Sequence, residues 1–189
     1  MFNILDVDNA AYEINSTSTI EMSFILRPGT LDDATGIANV QVTTWRDAYA
    51  TIIDPVFLAG MTVEAFTQAQ IDRIQTDSGH RTVATIDDKV VGYAVSRAKT
   101  DEPFFNDWFL FALYVLPECQ GLGIGRALIN DTKAEGHKRG FTRLVFGVFS
   151  HNEPSKRFYR RNGAVFIEQH GYEIDGKDYP TDYCEILID

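Results

Sequence analysis

The sequence predicts a single α/β domain built on a mixed central sheet of about six or seven strands flanked by helices. Three observations point there. Phe109 to Leu116 is apolar at every position, which suits a central strand covered on both faces. Leu144 to Phe149 is a second buried run. A glycine loop and a helix-like segment separate the two, so Phe109 to Phe149 reads as a strand–helix–strand crossover with its strands parallel. Thr82 to Ile86 and Lys89 to Val95 are β-rich and divided by Asp87-Asp88, the pattern of an antiparallel hairpin. With 189 residues, 44% hydrophobic and 12% aromatic, the chain can bury one sizeable core.

Residues 1–21 show no clear period and read as an N-terminal extension; a second methionine, Met22, stands where the domain of residues 22–189 begins. Phe24 to Leu26 reads as the first strand. Thr30 and Asp33 have the spacing of a helix cap and its partner, which starts a helix at Leu31 that runs toward Trp45, with Ile37, Val40, Gln41 and Thr44 on one stripe. The pattern breaks around Asp54-Pro55, and a second helix spans about Val63 to Ile74. After the hairpin and the Phe109 strand, Pro117 ends the apolar run. Arg126 to Arg139 is helical, with Leu128 and Ile129 inward, basic residues in the last turn and Gly140 as the stop. A shorter helix covers Pro154 to Arg161 and closes at Asn162-Gly163. Strands near Ala164 to Glu168 and Tyr183 to Ile188 finish the chain.

The formal net charge of −10 argues against a general nucleic-acid binder. Its distribution is uneven. Gln120 to Val165 carries nine Lys or Arg against three acids, a local +6 that leaves −16 for the rest of a chain totalling −10. A small polyanion suits the first part and a cationic partner the second, although a solvated basic helix face gives the same count. Cys119 and Cys184 form no CxxC pair and no disulfide framework, and His80, His137, His151 and His170 show no ligand spacing, so no metal is expected. There is no secretory pattern at the start and no run of about 18 apolar residues, so a soluble, cytoplasmic protein without membrane contact is expected.

Gln120-Gly-Leu-Gly-Ile-Gly125 carries the chemistry. A helix N-terminus presents unpaired N–H groups and the positive end of the macrodipole, and glycines let an anion approach the backbone. A P-loop needs GK[ST], whereas this loop ends Gly125-Arg126-Ala127. A dinucleotide fingerprint needs a third glycine where Leu128 stands. A turn that only lets helix and strand pack closely would use the same glycines.

Set beside Asn152-Glu-Pro-Ser-Lys-Arg-Phe-Tyr159 and the closing Gly163, the loop resembles the (Q/R)xxGx(G/A) motif of the GNAT superfamily of acyl-CoA-dependent N-acyltransferases. The resemblance spans about residues 22–188. It implies that strands four and five are parallel and splay apart around acetyl-CoA, the co-substrate. The pantetheine arm would pair with the backbone of Leu113, Tyr114 and Val115. The pyrophosphate would lie on the N–H groups of Gln120, Gly121, Leu122, Gly123, Ile124, Gly125, Arg126 and Ala127. Tyr159 would be the general acid that returns a proton to the leaving thiolate; a core aromatic beside Phe158 is the plain reading. Asn152 and Ser155 would contact the cofactor; a helix cap and a first-turn serine are their plain readings.

The implied reaction is direct attack of a primary amine, on a small molecule or peptide, in a ternary complex with acetyl-CoA. Many relatives carry a Glu on strand four as base. Here that strand reads Trp-Phe-Leu-Phe-Ala-Leu, and Asp107, Glu102 and His151 are only neighbours in sequence. Trp45-Arg-Asp-Ala-Tyr49 resembles a WRxAY segment bordering the acceptor pocket in this superfamily, with Trp45 and Tyr49 as substrate-binding residues. One apolar helix face explains the same spacing. The acceptor's identity stays open, and a homodimer is allowed. The rival function is a non-catalytic acyl-CoA-binding regulatory module.

Overall fold

The computed structural model describes residues 23–77 and 79–188. The extension of residues 1–21 and the boundary at Met22 lie outside the described residues. In chain order the elements are β1 (Ile25–Pro28), α1 (Ala34–Ala48), α2 (Pro55–Gly60), α3 (Val63–Thr76), β2 (His80–Ile86), β3 (Lys89–Ala98), β4 (Trp108–Val115), α4 (Ile124–Lys138), β5 (Arg143–Phe149), α5 (Glu153–Arg161), β6 (Val165–Ile174) and β7 (Lys177–Leu187). They form a seven-stranded sheet in the order β1-β2-β3-β4-β5-β7-β6, mixed because β4 and β5 are parallel and every other pair is antiparallel. This is the expected class.

Local chemistry accounts for most boundaries. Asp87 and Asp88 turn β2 into β3 with φ of 47° and 61°, the left-handed region a tight hairpin requires. Thr30 and Asp33 do pair, the Thr30 N–H donating to Asp33 Oδ2 at 2.8 Å. Asp33 also accepts from Nη1 and Nη2 of the Arg27 guanidinium, each at 2.7 Å, and that hydrogen-bonded charge holds its carboxyl below the usual carboxylate range. The helix they open differs from expectation: Leu31–Asp33 is one 3-10 turn, and the α-helix proper runs on to Ala48.

Three other expectations need correction. The break at Asp54-Pro55 contains α2, with Asp54 accepting the Val56 N–H at 2.7 Å and Pro55 in the first turn. The last two strands are twice as long as their apolar cores suggest. β6 and β7 extend through exposed polar residues and meet at Asp175-Gly176, both with positive φ, so their outer half rests on backbone pairing that apolar alternation does not mark. Finally, β4 is not covered throughout: Phe111 is 39% exposed.

That exposure follows from the register. β4 pairs with β3 from Ala98↔Trp108 to Gly92↔Val115, with one bulge that leaves Phe111 without a partner between Leu110 and Ala112. Its pairing with β5 stops after Trp108↔Leu144 and Phe109↔Val145. β5 then follows β7, from Arg143↔Leu187 to Phe149↔Thr181, and leaves β4 with one open edge.

Two apolar clusters fix this geometry. The main core joins Ile37 and Val40 of α1, Leu128 and Ile129 of α4, and Val83, Tyr93, Trp108, Leu144 and Phe146 of the strands. Each such side chain contributes about 1.5–3 kcal/mol on burial. The Trp108 Nε1–H donates to Thr132 O at 3.0 Å and ties α4 to β4. The second cluster, Val42, Ile53, Leu58, Met61, Phe149 and Ile174, seats α1 and α2 against the β6–β7 hairpin.

Asp182 anchors α5 to β7. Its carboxylate accepts from Ser150 Oγ at 2.6 Å, Gln169 Nε2 at 2.9 Å and Lys156 Nζ at 2.9 Å. Burial alone would raise its pKa, but these donors outweigh it and hold it at about 2. A carboxyl depressed on folding adds stability above its unfolded pKa and loses it as pH falls through the folded one. Asp182→Asn is therefore expected to cost about 2 kcal/mol at pH 7, with the difference from wild type closing between about pH 4 and 2 in denaturant titrations.

Candidate active site in the fork between β4 and β5

Where β5 leaves β4, a cleft of about 680 Å³ opens. Its floor is β4 from Leu110 to Val115; one wall is the loop before α4, another is β5 with α5, and the end of α1 closes it.

The β4 backbone offers a ladder on the open edge. The Leu116 N–H donates to Val91 O at 2.8 Å, toward β3. Backbone groups alternate sides along a strand, so Tyr114 also faces β3, while Leu113 and Val115 face the fork. Val115 O accepts from Gln120 Nε2 at 3.2 Å, which anchors the loop to the strand. Of the three residues expected to make backbone contacts, Leu113 and Val115 turn their backbone groups to the fork and Tyr114 turns its own to β3, and all three line the cleft.

The loop is a cradle of free amides, narrower than expected. The Gln120 N–H donates to Pro117 O at 3.2 Å and the Ala127 N–H to Gly123 O at 3.0 Å, so both are already used. Among the described residues the N–H groups of Gly121, Leu122, Gly123, Ile124, Gly125 and Arg126 donate to no carbonyl or side chain. Gly121 and Gly123 hold φ of 80° and 85° with open space where a Cβ would stand. Gly125 does something else: a Cβ there would lie 2.9 Å from the Phe158 ring, so its small size lets α5 close on α4. Gln120, Gly121, Ile124 and Gly125 line the cleft; Leu122 and Arg126 stand exposed at its rim.

From α5, Tyr159 reaches into the fork. Its ring packs on Phe146 at 4.2 Å and on Phe158 at 5.0 Å between centroids. No group among the described residues hydrogen-bonds its hydroxyl. Burial pushes this phenol well above its ordinary pKa, and the neighbouring Tyr114 phenol adds to the effect. Burial does the same to Tyr49 and Tyr93, again with Tyr114 as the second cause. Tyr159 therefore keeps its proton through the whole physiological range and is suited to act there as an acid and not as a base.

The remaining expected residues sort by geometry. Asn152 is buried in the cleft wall and caps α5, its Oδ1 accepting the Ser155 N–H at 3.2 Å. Ser155 also lines the cleft. Tyr49 does so too, edge-on to Phe149 at 4.9 Å, whereas Trp45 stands behind it, 5.3 Å from Tyr49 and 6.5 Å from Tyr114 between ring centroids. Of the neighbours considered as bases, Asp107 is held bidentately by Arg143 at 2.7 and 2.8 Å, and neither it, Glu102 nor His151 lines the cleft. Cys119 is buried, and burial raises its thiol pKa, the opposite of an activated nucleophile.

Sequence reasoning did not single out Arg157 and Arg161, which line the α5 wall four residues apart and make no ion pair among the described residues. Their i, i+4 spacing within the basic segment was the available signal. Among the described residues no cluster of His, Cys, Asp and Glu could hold a metal ion, and no helix is long and apolar enough to cross a membrane.

A parallel pair that forks, a helix N-terminus with bared amides beside it and a tyrosine in the gap meet in this one cleft. The chain belongs to the GNAT acetyltransferase family, whose family model, "Acetyltransferase (GNAT) family", matches residues 44–164. It is 29% identical over 153 residues to the uncharacterized N-acetyltransferase YuaI of Bacillus subtilis, covering 80% of this chain and 86% of that protein. Its fold is similar to that of the PaiA N-acetyltransferase of Thermoplasma acidophilum in complex with coenzyme A, with a TM-score of 0.64 at 21% identity over 85% of this chain and 98% of that one. It is similar too to YncA of Salmonella typhimurium with its cofactor acetyl-CoA, with a TM-score of 0.67 at 19% identity over 88% and 95%. The protein is an acetyl-CoA-dependent acyltransferase.

Proposed function

We propose that the protein moves an acetyl group from acetyl-CoA to a primary amine of a small molecule or peptide by direct attack in a ternary complex. The observation that carries this reading is Tyr159, a half-buried phenol with no hydrogen-bond partner among the described residues, in the fork beside the free edge of β4.

The residues fit the co-substrate. The amides of Gly121 to Arg126 suit a pyrophosphate, and Arg157 and Arg161 add positive charge from the α5 wall. Leu113 and Val115 offer the backbone groups that an amide-bearing pantetheine arm needs. Asn152 and Ser155 border that path.

Acetyl-CoA supplies an activated thioester. A neutral amine attacks the carbonyl carbon and the C–N bond forms; the C–S bond breaks, Tyr159 gives its proton to the sulfur, which leaves as a thiol, and the proton that the nitrogen sheds passes to solvent, from which the phenol is reprotonated. A β4 backbone N–H facing the fork stabilises the developing oxyanion. Tyr49 borders the acceptor side, with Trp45 holding its ring in place.

Calorimetry with coenzyme A, followed by thiol release from acetyl-CoA across an amine panel, tests the proposal. Binding with turnover on at least one amine supports it. Tight binding with no turnover on any amine would favour the regulatory module, and absence of binding would end both readings.

A further inference from the structure

The cleft's charges are segregated. Arg157 and Arg161 sit on the α5 wall, and the only carboxylate among the described residues that line the cleft is Asp47, an exposed residue near the end of α1. It makes no hydrogen bond or ion pair among the described residues. Arg46 next to it does not neutralise it, because that guanidinium donates to the carbonyls of Leu58, Ala59 and Met61.

Asp47 is also badly placed for its own helix. It occupies the last turn of α1, where the macrodipole is negative and a carboxylate is disfavoured. Local stability therefore gives no reason for this acid.

Thr44 supplies the independent observation. It lies three residues before Asp47, on the same face of α1, and it too lines the cleft. Thr44 is only 6% exposed, and its Oγ1 is buried without a hydrogen-bond partner. A buried hydroxyl left unpaired carries a desolvation penalty that a ligand could relieve. One turn earlier, Gln41 faces inward but is satisfied, accepting from Tyr93 Oη at 3.2 Å and Gln70 Nε2 at 3.0 Å. Trp45 Nε1, next to Thr44 on the helix, is also buried and unpaired, but of the two only Thr44 lines the cleft.

We propose that Thr44 and Asp47 form the acceptor subsite, with the Asp47 carboxylate taking an ammonium group and Thr44 Oγ1 a further N–H of a diamine or polyamine. This rests on the acetyl-transfer reading above. The second, unreacting ammonium of such an acceptor binds Asp47 while its other nitrogen reaches the thioester. The acid selects for charge and need not remove a proton.

The test compares wild type, Asp47→Asn and Thr44→Val with 1,4-diaminobutane and spermidine, with glutamate as an anionic amine, and with methoxylamine, which is uncharged at neutral pH. Asp47→Asn is expected to raise KM for the diamine about tenfold, with kcat and the KM for acetyl-CoA within about threefold and methoxylamine turnover unchanged. Thr44→Val is expected to raise the diamine KM about threefold. The thermal midpoint of Asp47→Asn should equal or exceed that of wild type, since an unfavourable charge leaves the helix end.

An unchanged diamine KM in Asp47→Asn, an equal loss on methoxylamine, a lowered midpoint, or a wild-type preference for glutamate would each overturn the proposal while leaving acetyl transfer intact. Wild type that binds acetyl-CoA but releases no thiol with any amine would overturn the transfer reading itself.

Discussion

Tyr159→Phe is expected to lower kcat about 100-fold while changing the KM for acetyl-CoA by less than about threefold. The variant keeps the ring that packs on Phe146 and Phe158, so the cleft wall stays in place. On the proposed mechanism it loses the proton that would neutralise the departing thiolate, a group that without help leaves with its charge poorly solvated in the cleft. The raised phenol pKa gives the effect a pH signature. A group whose pKa is pushed up stays protonated further into the alkaline range, so wild-type kcat should rise as the acceptor amine deprotonates and show no descending limb below about pH 10. Steady-state kinetics from pH 6 to 10 would check both points. Undiminished turnover in the variant across that range would remove Tyr159 from the reaction.

Gly123→Val is expected to weaken coenzyme A binding about 100-fold or more in calorimetry. Gly123 sits at φ 85°, where a β-branched residue is strained, and its Cβ would project into the open space that a phosphate needs to reach the amides of Gly121 to Arg126. Strain alone would lower the melting temperature without weakening binding by the folded protein. The two effects are separated by measuring affinity well below the transition. A folded variant that binds coenzyme A like wild type would show that the amides serve another purpose.

Much of this architecture is legible in the sequence because the relevant signals are local. The Asp87-Asp88 hairpin, the Pro117 strand end, the Asn152 cap and the Gly140 stop each depend on the backbone preference of one or two residues. The loop glycines are legible for the same reason, whereas the Phe-Tyr pair of α5 stands out only through the resemblance to the family. What stays hidden depends on residues far apart in the chain. Gly125 looks like a third phosphate-loop glycine until Phe158, thirty-three positions on, is found above it. The outer halves of β6 and β7 carry no apolar alternation and exist because they pair with each other. The unbroken apolar run of β4 suggests a strand covered on both faces, yet such a pattern cannot say that one neighbour departs after two residue pairs. Thr44 and Asp47 read as ordinary positions on a helix until the fork appears beside them.

That early departure also shapes the mechanics of the molecule. Between β4 and β5 the sheet is a seam fastened at one end, at Trp108 and Phe109, with β1 to β4 on one side and the β5–β7–β6 half on the other. A molecule that fills the gap acts as a keystone, bridging the halves where the protein's own backbone does not. Each tenfold excess of such a ligand over its dissociation constant adds about 1.4 kcal/mol to the folded state. The enzyme should therefore be sturdiest when loaded for reaction, and its resilience in a cell should track the supply of acyl donor.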